Sequence, residues 1–80
     1  MIALPKKYRD LLKKCLEKNN PNLNAIVEQN NNFSDDFYNE LRNIVCDELI
    51  LNGFIGDTPN NYGLELENLI DEIGKLFLYD

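Results

Sequence analysis

Residues 34–53, SDDFYNELRNIVCDELILNG, decide the fold of this chain. Ser34 can accept a hydrogen bond from a free amide of a first helical turn, and Asp35 and Asp36 place negative charge at the positive end of the helix dipole. Apolar residues then recur at helical spacing, which predicts an amphipathic helix over 34–52. Its predicted core-facing residues are Phe37, Tyr38, Leu41, Ile44, Val45 and Leu49.

The turn residues that follow predict where this helix stops and the last helix begins. Asn52-Gly53 favours a stop in the left-handed conformation, with Phe54 folded back as a hydrophobic clasp. Residues 55–57 are predicted as a loop, and Thr58-Pro59 as the cap and first-turn proline of a helix over 59–78. The apolar arc of this last helix contains Tyr62, Leu66, Leu69, Ile70, Ile73, Leu76 and Phe77.

Two glycines lie within the last predicted helix, where each costs about 1 kcal/mol relative to alanine. Gly63 and Gly74 are separated by a spacing that puts them on one face. Either a neighbouring backbone approaches that face closely, or Gly63 lies in an irregular first turn and Gly74 marks a kink. No segment alternates with a period of two residues over a useful length, so no strand is predicted.

The first third of the chain predicts two further helices. An apolar stripe runs through residues 4–19 and ends at an Asn-Asn-Pro sequence. Pro21, behind an asparagine cap, opens a short helix over 21–31. The prediction is therefore an all-α fold, a small four-helix bundle of about 4–19, 21–31, 34–52 and 59–78. With 80 residues, it forms one domain, 1–80.

Glu48 lies near the middle of the apolar arc of the helix over 34–52, where an unpaired carboxylate is costly. The structural interpretation is that it reaches a tyrosine hydroxyl, a basic residue of the first helix or the amides that open the last helix. The functional alternative is that this face opens into a groove in which Glu48 meets an arginine or lysine of a partner.

Composition excludes most kinds of catalytic and cofactor chemistry. The chain has no histidine, and its two cysteines, Cys15 and Cys46, have no ligand cluster around them. They are predicted to be reduced, buried small hydrophobes, with a disulfide between them left open. Ser34 and Thr58 are explained as caps, and no glycine-rich phosphate loop is present. We therefore expect no enzyme activity, no cofactor and no metal.

No signal peptide or membrane-spanning stretch is recognisable, which predicts a soluble cytoplasmic protein. Its charge is segregated: six of the eight basic residues lie in positions 1–18, whereas twelve of the fourteen acidic residues lie in 19–80. With a net charge of -6, the chain favours a cationic protein partner and disfavours direct nucleic-acid binding.

Acidic stripes on the last two predicted helices are the candidate partner-binding site, with a solvated face that aids solubility as the alternative. Like charges at i,i+4 cost a helix roughly 0.2 to 0.5 kcal/mol per pair, a standing cost that the chain tolerates. Tyr79, with Leu64 and Leu78, suggests a mixed apolar and acidic patch on the last helix. The candidate residues are Asp36, Glu40, Asp47, Glu65, Glu67, Asp71, Glu72 and Tyr79.

Residues 41–76, LRNIVCDELILNGFIGDTPNNYGLELENLIDEIGKL, resemble a pattern found in small bacterial proteins that are similar to immunity proteins of polymorphic toxin and contact-dependent growth inhibition systems. The resemblance implies a cytosolic inhibitor that binds one basic protein toxin domain, commonly a nuclease, and blocks its active site or substrate approach. It carries no functional residue over to this chain. The protein is then expected as a monomer or a one-to-one complex, without contact to a membrane.

Two alternatives remain open on the sequence. One is a small acidic adaptor or regulatory subunit, including self-association in which the basic helix of one copy meets the acidic face of another. The other is a DNA-binding regulator that uses the first helix alone.

Overall fold

The computed structural model describes residues 2–30 and 32–77. In that part of the chain there are four helices and one short hairpin. None of the described helices is long and apolar enough to cross a membrane. The elements in chain order are α1 (Lys6–Asn19), α2 (Pro21–Gln29), α3 (Asp35–Asn52), β1 (Phe54–Ile55), β2 (Thr58–Pro59) and α4 (Asn61–Lys75). The mostly helical fold confirms the predicted class, whereas the hairpin was not predicted.

The helix starts follow their local chemistry. The Ser34 hydroxyl accepts a 3.2 Å hydrogen bond from the Phe37 amide, as predicted for the start of α3. α1 begins at Lys6, later than predicted, because Pro5 is its N-cap residue. Pro21 is the first residue of α2 and Asn20 is its N-cap residue, as predicted, although the Asn20 side chain makes no capping hydrogen bond.

The end of α3 differs from the predicted left-handed stop. Gly53 has φ of −94° and ψ of 2°, and its amide donates a 2.8 Å hydrogen bond to the Leu49 carbonyl. A Cβ at this position would lie 2.5 Å from Leu49 Cδ1 and 3.1 Å from the Gly63 Cα. Gly53 is therefore required by close packing and not by a positive φ.

The hairpin replaces both the predicted clasp and the predicted Thr-Pro helix start. Phe54 pairs with Pro59 and Ile55 with Thr58 in an antiparallel register, and Phe54 is exposed instead of folded back. The left-handed residue is Gly56, with φ of 62°, in the turn between the strands. Two residues per strand are too few for period-two alternation, so the sequence carried no strand signal.

Asn60 is the true N-cap of α4 and fastens it to the end of α3. Its Oδ1 accepts a 2.7 Å hydrogen bond from the Gly63 amide. Its backbone amide donates to the Gly53 carbonyl at 2.9 Å, and its Nδ2 donates to the Asn52 carbonyl at 3.1 Å. These contacts favour Asn60 over Thr58 because they hold two helix ends together as well as satisfying one amide.

Gly63 allows this junction to close. A Cβ added there would overlap the carbonyl oxygen of Gly53, so the chain needs glycine for the close approach of two backbones. Gly74 is buried as well. For Gly63, the close-approach interpretation is confirmed.

The core lies between α3 and α4, with α1 and the residues before it packed against them. Cys15 is fully buried and Cys46 is half-buried, and both are free thiols. The prediction of reduced cysteines therefore agrees with the structure, but only Cys15 is a fully buried one. The buried apolar side chains are Ile2, Leu4, Leu12, Cys15, Leu16, Val27, Tyr38, Leu41, Val45, Leu66, Leu69 and Ile73.

Candidate protein-binding surface

Three of the predicted acidic residues form one line on the outer side of α3. Asp36, Glu40 and Asp47 are all exposed, and helical geometry places them within about 40° of each other over about 16 Å. None of them forms an ion pair with another described residue. Asp36 also lies in the first turn, where it stabilises the helix dipole. The α3 line therefore carries uncompensated negative charge.

On α4 the predicted residues divide into two pairs that differ in their contacts. Glu67 and Asp71 are exposed, and neither forms an ion pair within the described residues. Glu65 instead binds Lys7 of α1 at 3.1 Å, and Glu72 binds Lys75 of its own helix at 3.0 Å. Glu72 is thus balanced within its own helix, whereas Glu65 is balanced by a lysine of α1.

The contacts of the two lysines leave them charged at neutral pH. The hydrogen bond and charge of Glu65 raise the pKa of Lys7. Those of Glu72 raise the pKa of Lys75. Glu65 and Glu72 consequently have a bound cation nearby and contribute less field to the surface than the unpaired acids do.

Most of the basic charge of α1 is neutralised within the chain. Lys6 binds Asp10 at 3.4 Å, and Lys13 lies 3.5 Å from Glu28 of α2. With the Lys7–Glu65 pair and a fourth pair at Lys18, at least four of the six cations in residues 1–18 take part in ion pairs. The charge segregation of the sequence is therefore partly cancelled around α1, but it persists on the outer line of α3.

Glu48 is the most buried charged side chain of the described chain, with 1% of its surface exposed. Its Oε2 accepts hydrogen bonds from the Tyr62 hydroxyl at 2.7 Å and from the Lys18 ammonium at 3.0 Å. Its Oε1 accepts a bond from Asn52 Nδ2 at 2.8 Å. The predicted structural role, with a tyrosine hydroxyl and a basic residue of the first helix as partners, is confirmed.

The electrostatics of this cluster keep Glu48 ionised. Burial alone raises the pKa of the carboxyl, but the hydrogen bonds from Tyr62, Asn52 and Lys18 and the charge of Lys18 outweigh burial and lower it. Burial and the bond to Glu48 raise the pKa of the Tyr62 hydroxyl, which therefore remains a donor. Cys15 Sγ lies 3.9 Å from that hydroxyl, and burial raises the pKa of its thiol.

The mixed patch predicted on the last helix is described only in part. Tyr79 and Leu78 lie outside the described residues. Leu64 is 49% exposed. Glu67 and Asp71 follow it by three and seven residues, so all three lie on the same outward side of α4.

A larger apolar surface lies at the end of α3, where sequence reasoning did not place one. Ile50, Leu51 and Ile55 are 70%, 73% and 75% exposed, and Phe54 is exposed as well. A signal existed: Leu49, Ile50 and Leu51 are consecutive, and a helix turning about 100° per residue cannot bury all three. Ile50 and Leu51 therefore put apolar surface on the side of α3 that faces solvent.

Ile50 and Leu51 line an open depression of about 430 Å³ together with Ile44 and Asp47 of the same helix. Asn19 and Asn20, at the junction of α1 and α2, also line it. Asp47 is therefore a predicted site residue that combines charge with neighbouring apolar surface and a concave shape. We call these six residues the α3 depression.

The side chains of this surface are of the kinds that protein interfaces use. Within residues 2–30 and 32–77, no three acidic or cysteine side chains converge to hold a metal ion. The surface presents exposed carboxylates, aliphatic side chains and amides, which are the components of a protein interface. The chain matches no known protein family, no curated protein and no solved structure.

Proposed function

We propose that this chain is an immunity-type inhibitor that binds a basic bacterial toxin domain, with a nuclease as the expected activity, through the outer faces of α3 and α4. The observation that carries the proposal is a set of five predicted carboxylates that are exposed and unpaired among the described residues. They are Asp36, Glu40, Asp47, Glu67 and Asp71.

Charge is the reason why this surface suits a nuclease. Enzymes that bind phosphates present basic clefts, and an acidic inhibitor is drawn to them by long-range attraction before any contact forms. The net charge of -6 acts in the same direction. The resemblance of residues 41–76 to immunity proteins supports the same role, and such an inhibitor acts in the cytoplasm of the cell that makes it.

The proposal is tested by recovering the protein that binds the tagged chain in the cells that produce it, and by assaying that protein alone and with one equivalent of the chain. We expect a basic protein, a one-to-one complex and loss of nucleic-acid cleavage in the complex. An acidic or neutral partner, or cleavage that continues at saturation, would contradict the proposal.

Exposed apolar side chains at residues 50–55 favour a second candidate, a self-associating adaptor. Head-to-tail contact through α1 is weakened because at least four of its six cations already form internal pairs. The same pairing weakens a DNA-binding role for α1. Sedimentation of the isolated chain over a range of concentrations separates the candidates, since only self-association raises the mass.

A further inference from the structure

We infer that the α3 depression anchors the partner, and that the occupant is a segment of a basic protein presenting an aliphatic side chain flanked by lysine or arginine. This inference rests on the proposed function and says which part of the interface contributes most of the binding energy.

The depression is apolar enough to take a side chain. Ile50 and Leu51 leave most of their surfaces exposed, and Ile44 extends the same wall about two turns earlier. A volume of about 430 Å³ falls within the roughly 300 to 1,000 Å³ of sites that hold small ligands. Interface energy concentrates where apolar anchors fill such concavities.

Asp47 lies within this apolar surface. Ile44, Ile50 and Leu51 are its i−3, i+3 and i+4 neighbours on α3, and each of them lines the depression. An aliphatic side chain that fills the depression would exclude water around this carboxylate. A cation beside that side chain would then pair with Asp47 more strongly than it could on an open surface.

The end of α3 adds to the negative potential here. Its last turn contains no basic residue, so the negative end of the helix dipole has no compensating side chain. None of the six lining residues is basic, and Lys18, next to Asn19 in the chain, is bound to Glu48. Charge complementarity therefore selects a cationic neighbour for the apolar anchor.

A second copy of the chain is a poorer occupant. A symmetric contact through this surface would bring Asp47 and the end of α3 against the same groups of the other copy, which repel. The chain is also acidic as a whole, whereas a basic partner is attracted from a distance.

The test is a titration of the isotope-labelled full chain, followed by NMR, with the blocked peptide Lys-Arg-Leu-Leu-Arg-Lys. Two matched peptides replace the leucines with serine or the basic residues with glutamate. We expect saturable shifts at Asn19, Asp47 and Leu51 with a Kd below about 1 mM. Both control peptides, and the chain variants Leu51→Ser and Asp47→Lys, should bind about tenfold more weakly or worse.

Ile26→Ser on α2 and Glu17→Lys on α1 are the matched controls, because they change an exposed apolar residue and an acid outside the depression. Shifts centred elsewhere, no saturation, or equal binding of the serine peptide would overturn the inference. Dimerisation of the chain that Leu51→Ser abolishes would assign the depression to a second copy and also overturn it.

The two proposals fail separately. If the partner is inhibited equally by the unmodified chain, by Leu51→Ser and by Asp47→Lys, the inhibitor function stands and the anchor assignment is wrong. If the peptide binds as expected but the recovered partner is not basic or is not inhibited, the anchor stands and the toxin assignment is wrong.

Discussion

The hydroxyl of Tyr62, on α4, donates a 2.7 Å hydrogen bond to the carboxylate of Glu48, which is buried on α3. Lys18 of α1 binds the same oxygen, so three helices meet at one charged group. Lys18 therefore pairs with a carboxylate that is buried and that no partner can reach. The acids left unpaired are those on the outside, and this division underlies the proposed function.

Tyr62→Phe should destabilise the fold by about 1.5 to 3 kcal/mol, the usual range for a hydrogen bond to a charged group. Urea unfolding measures the change. Tyr38→Phe is the control: Tyr38 is buried and Tyr62 half-buried, but the Tyr38 hydroxyl has no hydrogen-bond partner among the described residues, so its loss should cost much less. Equal losses for the two variants would contradict the role assigned to the Tyr62–Glu48 bond.

Glu48 should make stability depend on acid pH. The pKa of Glu48 is lowered in the folded chain, so the stabilisation is complete above its ordinary value of 4.5 and disappears as pH falls through the lower folded value. Glu48→Gln should be less stable at pH 7, and its stability should fall less between pH 5 and pH 2. The measurement is the unfolding free energy of the unmodified chain and of Glu48→Gln across that pH range. Parallel curves for the two would contradict the role assigned to the Glu48 carboxylate.

Gly63→Ala should destabilise the chain by about 2 kcal/mol or more, because the new Cβ would overlap the Gly53 carbonyl at the junction of α3 and α4. Gly56→Asn is the matched comparison: its φ of 62° suits asparagine, and no atom lies within 4 Å of an added Cβ. Thermal unfolding should show a large fall in Tm for the first variant and little change for the second. The reverse order would show that the two backbones can separate without cost.

Charge reversal on the outer faces should separate stability from binding. Glu40→Lys and Glu67→Lys each turn a repulsive i,i+4 pair, with Asp36 and Asp71 respectively, into an attractive one. Each should therefore stabilise the isolated chain by about 0.5 kcal/mol while weakening partner binding. Unfolding and affinity measurements on the same variants check this, and a variant that gains stability without losing affinity would argue for a merely solvated face.

Periodicity and capping were sufficient to predict the four helices, because α3 has a strong start at Ser34 and each helix carries a usable apolar stripe. They were insufficient at the α3–α4 junction, where the Asn60 bonds and the Gly53–Gly63 contact depend on residues seven to ten apart in sequence meeting in space. The buried position of Glu48 and two of its partner types followed from helical geometry. Its bond to Asn52 was not among the expected contacts.

The candidate surface was predictable in its charge but not in its shape. Asp36, Glu40 and Asp47 share a face by spacing alone, whereas the internal pairing of Glu65 with Lys7 requires α1 and α4 to pack side by side. The α3 depression likewise needs Asn19 and Asn20 to lie close to Ile50 and Leu51. A sequence read one helix at a time contains no information on such contacts.

The association rate constant of the chain with the protein it binds in its own cells tests capture by exposed carboxylates most directly. Measured from about 0.02 to 0.5 M salt, it should fall by tenfold or more. Glu40→Lys and Glu67→Lys should lower it at low salt, and Glu17→Lys on α1, which changes the net charge equally but lies off the proposed surface, should lower it clearly less. A rate constant that is independent of salt and equal for all three variants would contradict the account.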